Sequence, residues 1–430
     1  MRLIQQNPSS YSRKVVFVTF FDYSSFMIKR QQYLQTLRQL KDQHVIKVIT
    51  GIRRSGKSTL LQSFRNELIE SGVAERQIQS INFEEAINVD LTDWLALHND
   101  IESKLVDGRM NYLFLDEIQM VDKFERVIDS LFVKDNVDIY MTGSNAFLLS
   151  SELATLLTGR YISLQILPFS FAEYRLAMPD SQGNDRLLAQ YLSSSAFPEA
   201  VTLSNTNPAL SNIYLKDLYE TIVNNDISNR YEIRDKDDFS RVVKFVFDSI
   251  GSPLSATSIA KALTNQDNKT YHATVIRYLE YLTKSYLIYP VSRYDVKGKK
   301  LLTTNDKYYV VDLGLREIML GSSQVSDIGH RLENVVYLEL LRRNEGEVWV
   351  GKADDSEVDF IVQKPGGERV YYQVAYQIND NEKTLERELA PFKKISDNYP
   401  KYILTTDLIN EEFLGIKKVN VVDWLLSTEV

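Results

Sequence analysis

The 430-residue chain contains no cysteine. That excludes disulfides and thiolate metal centres, and it fits a reducing cytoplasm, the expected location. Four histidines leave little material for a zinc site. Long hydrophobic runs are lacking as well. Charge interrupts every apolar strip within about ten residues, far short of the ~20 that a bilayer-spanning helix needs, so no membrane partner is expected. An excess of positive charge is also missing: 50 Lys and Arg against 58 Asp and Glu leave a formal −8. A protein coated in basic surface for non-specific nucleic-acid binding is thereby excluded, although a local basic patch is not. There is no internal repeat and no low-complexity segment.

A chain of this length exceeds what one hydrophobic core usually supports, so several domains are expected. Residues 1–26 include the strip Val15–Phe21 after Arg13-Lys14. Asp22 ends it early and no small-residue cleavage site follows, so it reads as an extension without catalytic importance, with Met27 as an alternative start.

Residues 31–43 form a polar, helix-like lead-in. His44–Thr50 is a β-branched run that ends at Gly51, as a buried strand would. The loop Gly51-Ile52-Arg53-Arg54-Ser55-Gly56-Lys57-Ser58-Thr59 follows. Leu60, Leu61, Phe64 and Leu68 then recur at helical spacing. A glycine loop between strand and helix suits a phosphate chain: glycine allows backbone N–H groups to converge on an anion at a helix N-terminus. In this pattern Lys57 places a cation on the β- and γ-phosphates and Ser58 offers a hydroxyl to Mg²⁺. Arg53 and Arg54 could reach phosphate or a neighbouring chain, or simply be a solvated pair.

Further apolar runs at 77–83, 110–115, 138–142 and 161–167 alternate with helical patterns. They predict an α/β domain with a parallel sheet covered by helices on both faces, ending near residue 175. The run Tyr112–Leu115 ends in Asp116-Glu117, 59 residues after Lys57. In one sheet with the loop, Asp116 becomes a metal anchor and Glu117 a base that activates water.

With both motifs in place the chain resembles the AAA-type P-loop ATPases of the additional-strand catalytic-glutamate class. The resemblance is to the bacterial and archaeal kind whose loop begins Gly-Ile-Arg-Arg-Ser-Gly-Lys-Ser. It implies ATP and Mg²⁺ as ligands and ATP hydrolysis as the activity. It also implies a polar γ-phosphate sensor after the fourth strand, where Thr142-Gly143-Ser144-Asn145 stands; Asn145 is the expected residue, with Ser144 behind it, and a simple turn is the competing reading. Asn82 would hold Glu117 inactive until a partner binds. Arg160, before the fifth strand, suits a developing phosphoryl charge as finger or sensor, because arginine is always ionised and offers a planar fork of donors. If it acts in trans, the active form is a homo-oligomer.

The expected organisation is an extension (1–26), the ATPase domain (27–175), a helical connector or lid (176–236), a winged-helix-like domain (237–327) and a C-terminal α/β domain (328–430). Three helices and a hairpin around Gly298 carry the winged-helix reading. Residues 240–308 hold eleven Lys and Arg against five Asp and Glu, a formal +6 inside a protein of −8. Tyr271, Val275, Tyr278, Leu279 and Leu282 form the expected buried stripe of the third helix. Lys269, His272, Thr274 and Arg277 lie near its exposed face, and Lys297, Lys299 and Lys300 decorate the wing. Double-stranded DNA and a protein are both open as its partner.

The C-terminal part resembles the domain of unknown function that follows this ATPase type, through Lys307–Leu315 and Gly329–Asn334. Its order of helix glutamate, strand Glu357-Val358-Asp359-Phe360 and further strand is similar to a restriction-endonuclease fold. Such nucleases use an Asp and a Glu for Mg²⁺ and a Lys two residues beyond the Glu. Despite Glu333 and Asp359, the third position here reads Tyr372-Gln373-Val374-Ala375, so an inactive remnant that binds or scaffolds is expected.

Overall fold

The computed structural model describes residues 28–143, 157, 159–179, 183–264, 270–321, 327–378 and 381–427. Asn145, Ser144, Lys269 and residues 1–27 lie outside this set.

The chain enters through helix α1 (Gln31–Leu40) and builds a five-stranded sheet from β1 (Ile46–Thr50), β2 (Ile78–Asn82), β3 (Asn111–Asp116), β4 (Val137–Thr142) and β5 (Tyr161–Gln165). All pairings are parallel, and the order is β2-β3-β4-β1-β5. Strands β1, β3 and β4 are buried along their whole length. That explains their continuous apolar runs, since a parallel sheet covered on both faces has no solvent side to alternate with. On one face pack α1 and α2 (Lys57–Glu70), the latter through Leu60, Leu61, Phe64 and Leu68. On the other lie α3 (Trp94–Ser103), with Leu97 and Ile101, and α4 (Phe124–Phe132), with Val127, Ile128 and Leu131. Because β4 separates β1 from β3, the loop after β1 and the acidic end of β3 both open on the C-terminal edge of the sheet, across one intervening strand.

Helices α5 (Phe171–Ala177), α6 (Asn184–Tyr191), α7 (Pro198–Thr206) and α8 (Pro208–Thr221) form the connector. Helix α8 runs on into a π-helical turn at Ile222–Ser228. Next come α9 (Lys236–Asp248), the short strand β6 (Pro253–Leu254), α10 (Ala256–Leu263), α11 (His272–Lys284) and a hairpin of β7 (Ile288–Asp295) and β8 (Lys300–Val310). Strand β6 pairs with β8.

The hairpin does not end the unit. Strand β7 pairs in parallel with β9 (Glu347–Ala353), which is followed by β10 (Ser356–Gln363), β11 (Arg369–Ala375), β12 (Lys401–Thr405), β13 (Glu411–Phe413) and β14 (Ile416–Asn420). One mixed nine-stranded sheet results, in the order β13-β14-β12-β11-β10-β9-β7-β8-β6. The expected boundary at 327/328 lies in the helical connection between β8 and β9, and strands on both sides of it share this sheet. Helices α12 (Leu313–Leu320) and α13 (Ile328–Arg343) join the two halves of that sheet in sequence. Its other helices are α14 (Glu382–Lys393) and α15 (Val421–Leu426). A single core runs from Ile52 and Leu167 of the first domain, through the connector and the hairpin, to Trp424 and Leu425. Among the described residues no helix is long and apolar enough to cross a membrane.

The stripe of α11 is buried at Val275, Tyr278, Leu279 and Leu282, but Tyr271 is 59% exposed. Tyr271 is the residue before the helix, where the backbone is extended, so helical spacing no longer predicts its direction.

Candidate functional site

The loop after β1 is shaped by two glycines at positive φ, Gly51 (+137°) and Gly56 (+98°). A Cβ on Gly51 would lie 2.2 Å from the Ile166 carbonyl oxygen, so no larger residue fits there. Arg30, 4% exposed, clamps the loop from behind. It donates through Nη1 to the Ser55 (3.0 Å) and Leu167 (2.8 Å) carbonyls and forms a two-pronged pair with Glu173. Burial works to raise the Glu173 pKa, but the Arg30 charge and hydrogen bonds outweigh it and hold the carboxyl below its ordinary value. Neither partner stood out in the sequence.

Within the loop, Ile52 points into the downstream core rather than toward a ligand. The Ser55 hydroxyl is buried and has no partner among the described residues. Lys57 is 4% exposed and its Nζ donates to the Gly51 (3.1 Å) and Ile52 (3.2 Å) carbonyls, with Glu117 Oε1 at 3.9 Å. Burial lowers its pKa, against the pull of Glu117 and Asp116. Ser58 and Thr59 are exposed on the first turn of α2, and Arg54 is exposed at φ +66°.

Asp116 and Glu117 meet the loop across β4. Thr142, the last residue of β4, donates its hydroxyl to Asp116 Oδ1 and accepts the Glu117 N–H at 2.9 Å, so one side chain orients both acids. Ser58 is also hydrogen-bonded to Asp116. Burial raises the Asp116 pKa, opposed by the hydrogen bonds from Thr142 and Ser58. Glu117 sits at φ +57°, a left-handed conformation that costs about 1 kcal/mol or more in a non-glycine residue. Its carboxylate accepts from Gln119 Nε2. Gln119 thus makes the contact to Glu117 that was expected of Asn82, whose side-chain oxygen instead accepts the Glu84 N–H at 3.0 Å. Thr142 and Gln119 were missed, although Thr142 could have been found once β4 was placed beside β3.

Arg53 is not solvated. Its Nε and Nη2 both reach Asp226 at 3.2 Å, and Nη1 reaches Glu84 at 3.1 Å. Asp226 lies on the π-helical turn after α8 and is 5% exposed. Arg160 lies elsewhere. It is paired with Asp129 at 2.6 Å and stands over the Phe132 ring. Since β1 and β5 pair with Ile46 opposite Tyr161, Arg160 is level with the start of β1. Five residues of strand, about 16 Å, separate it from the loop. It does not join the Lys57–Glu117 constellation of its own chain.

In the C-terminal half Glu333 accepts from Lys307 Nζ (2.9 Å) and from the Tyr309 hydroxyl (2.6 Å), and Lys307 also pairs with Glu357 at 2.6 Å. Asp359 accepts the Val374 N–H at 2.7 Å; burial and the Glu333 charge push its pKa well up. Burial works against the Lys307 charge, but these three carboxylates outweigh it and raise the ammonium pKa.

A family model described as an AAA domain matches residues 43–175. A second, described as a domain of unknown function, matches residues 185–326. An uncharacterized protein of Haemophilus influenzae is 39% identical over 409 residues, covering 94% of this chain and 100% of its own. An uncharacterized protein of Methanocaldococcus jannaschii is 29% identical over 394 residues, covering 88% and 85%. Among solved structures, a Walker-type ATPase of Pyrococcus abyssi matches with a TM-score of 0.46 at 15% identity, over 68% of this chain and 96% of that one. The parallel sheet, its glycine loop and the matched AAA model agree: the chain belongs to the AAA-domain P-loop ATPases, in one family with the Haemophilus influenzae protein.

Proposed function

We propose that the chain binds ATP in the Gly51–Thr59 loop, hydrolyses it, and uses the nucleotide state to control engagement of DNA by residues 240–308. The carrying observation is the convergence of Lys57, the Ser58–Asp116 pair and Glu117 on one edge of the sheet. The loop fits a phosphate chain. Gly51 can only be glycine, the Ser55 hydroxyl awaits a partner, and Lys57 rests on carbonyls that an anion can replace. Ser58 and Asp116 are the oxygen donors suited to Mg²⁺, which supplies positive charge beside the phosphate oxygens when bound.

Glu117 takes the proton from a water whose oxygen attacks the γ-phosphorus. The bond to the β,γ-bridging oxygen breaks, and ADP and inorganic phosphate leave. Thr142 keeps Glu117 aimed through its backbone N–H. The Lys57 ammonium faces the charge that gathers on the departing side. Arg160, at the far edge, can serve only a neighbouring chain's nucleotide.

The route to a partner runs through close contacts. Gln165, at the end of β5, donates to the Tyr289 hydroxyl of β7 at 3.0 Å, and Arg342 of α13 donates to the Pro168 carbonyl that Arg30 also contacts. Helices α9 to α11 with β6 and the β7–β8 hairpin follow the order of a winged helix. Lys244, Lys261, Arg277, Lys299 and Lys300 are exposed on it and suit phosphate contacts. A second reading, a protein-interaction switch, is favoured by two observations. Arg241, Lys284, Arg293, Lys297 and Lys307 are paired with the protein's own carboxylates. The same elements also expose Tyr271, Ile276 and Leu301. For the C-terminal carboxylates we propose scaffolding rather than nuclease activity, since Lys307 occupies Glu333 and Glu357 and position 375 is alanine.

ATP turnover by wild type and Glu117→Gln, with and without duplex DNA across salt concentrations, tests the proposal. Stimulation that weakens as salt rises supports DNA. ATP-dependent assembly without DNA retention supports the protein switch. Unchanged ATP binding by Lys57→Ala would sink both.

A further inference from the structure

Arg160 leaves a gap in its own chain. The loop site holds the carboxylates Asp116, Glu117 and Asp226, and γ-phosphate cleavage adds negative charge. Beside Lys57 and the Mg²⁺ that Ser58 and Asp116 would hold, an arginine could share that charge, yet Arg160 stands a strand's length away.

Arg53 is the cation at hand. It occupies the third position of the loop, between Gly51 and Lys57, and its side chain is only 20% exposed. It lies on the same loop as Lys57, its charge works to lower the Lys57 pKa, and the Glu117 charge works to raise its own, so the three charges feel one another. The geometry of its bonds is asymmetric. The Nε–Nη2 edge is held by Asp226, which is 5% exposed and fixed on the π-helical turn. Among the described residues Nη1 has one partner, Glu84, whose side chain is half exposed. A planar guanidinium can keep one edge on a buried carboxylate while the other changes partner. Exchanging a solvated carboxylate for a phosphate oxygen costs little, because both are anionic acceptors and Glu84 can return to water. A π-helical turn is itself a feature concentrated at functional sites, since it widens the backbone to place a side chain that an α-helix would misdirect.

We infer that Arg53 is the arginine that neutralises charge on the γ-phosphate within its own chain, and that Asp226 is its positioning residue. This rests on the reading of the loop as an ATP site. Arg53 transfers no proton and forms no bond. The water oxygen joins the γ-phosphorus, its proton passes to Glu117, and ADP leaves with the bridging oxygen, while Nη1 swings from Glu84 to a γ-phosphate oxygen. Asp226 retains Nε and Nη2 throughout, so the connector senses whether a third phosphate is present.

The experiment pairs affinity with single-turnover chemistry in the full chain, for wild type, Arg53→Ala, Arg53→Lys and Asp226→Asn, using ATP and ADP as probes. Arg53→Ala is expected to weaken ATP about tenfold with ADP affinity unchanged, and to slow hydrolysis about 100-fold. Arg53→Lys should recover less than half of the lost ATP-over-ADP preference, since an ammonium cannot keep two bonds to Asp226 and reach phosphate. Asp226→Asn should slow hydrolysis about tenfold without weakening ADP. Added guanidinium should partly restore Arg53→Ala. Equal weakening of ATP and ADP, or full activity in Arg53→Ala, overturns the inference and shows a merely structural arginine. Wild-type chain that binds neither nucleotide overturns the reading of the loop itself, and the inference with it.

Discussion

Lys57 and Lys307 are both buried lysines facing carboxylates, yet they are in opposite condition. Lys57 rests on two backbone carbonyls and stands 3.9 Å from Glu117. Lys307 is bound to Glu333 at 2.9 Å and Glu357 at 2.6 Å. The first cation is held mainly by neutral groups, which under the proposed function leaves it able to turn to an arriving anion. The second is consumed by fixed charges from two separate elements, α13 and β10, and cannot. Burial alone therefore says nothing about function; what matters is whether the charge is already spent within the fold.

That contrast can be broken at several points. The largest effect is expected at Glu117. Glu117→Gln should retain ATP binding and lose about 1,000-fold in turnover, roughly 4 kcal/mol of barrier, as measured by phosphate release. Next is Lys307→Ala, which leaves Glu333 and Glu357 without their cation and should cost about 3 kcal/mol in urea unfolding. Lys57→Ala is the matched control for stability: it should lose nucleotide binding while shifting the urea midpoint far less. Equal destabilisation by the two alanines would dissolve the contrast.

The smallest effect concerns Asp312, the N-cap of α12, which accepts from Ala196 N (2.7 Å), Leu315 N (2.7 Å) and the Ser195 hydroxyl (3.2 Å). Burial pushes its pKa up to about 6, against those hydrogen bonds. A carboxyl raised in the folded state takes up a proton that the unfolded chain releases. Its contribution therefore makes the fold more stable as pH falls from about 6 toward 4. Asp312→Asn should remove that rise, a change of about 1–2 kcal/mol between pH 7 and pH 4.5 in paired urea titrations. Identical pH slopes for the two proteins would contradict it.

Much of the first domain was legible. The five strand runs stand where the apolar segments predicted them; for β1, β3 and β4 the reason is that a strand covered on both faces must be apolar throughout, while the edge strands β2 and β5 are only partly buried. Gly51, Gly56, Lys57, Ser58, Asp116 and Glu117 could be singled out from the loop and strand-end pattern alone, and the structure brings them to one edge of the sheet. The second half was legible only in pieces. Its helices and hairpin lie close to expectation, but β6, β13, β14 and α15 are short and carry little periodicity. Nothing in the 288–310 hairpin announces that its first strand will accept β9 as a neighbour.

By itself the sequence determined a strand–loop–helix built for phosphate, an acidic strand end in the same sheet, and a basic stretch set apart from an acidic chain. Those are properties of adjacent residues, and backbone dihedrals and periodicity report them directly. Only the tertiary structure decided that Arg53 pairs with Asp226, 173 residues away, that Thr142 and Gln119 are hydrogen-bonded to Glu117, and that Arg160 lies away from its own loop. It also decided that the hairpin and the C-terminal strands are one sheet. Such pairings depend on how distant segments pack, and a carboxylate on a helix looks the same in sequence whether it meets water or a buried arginine.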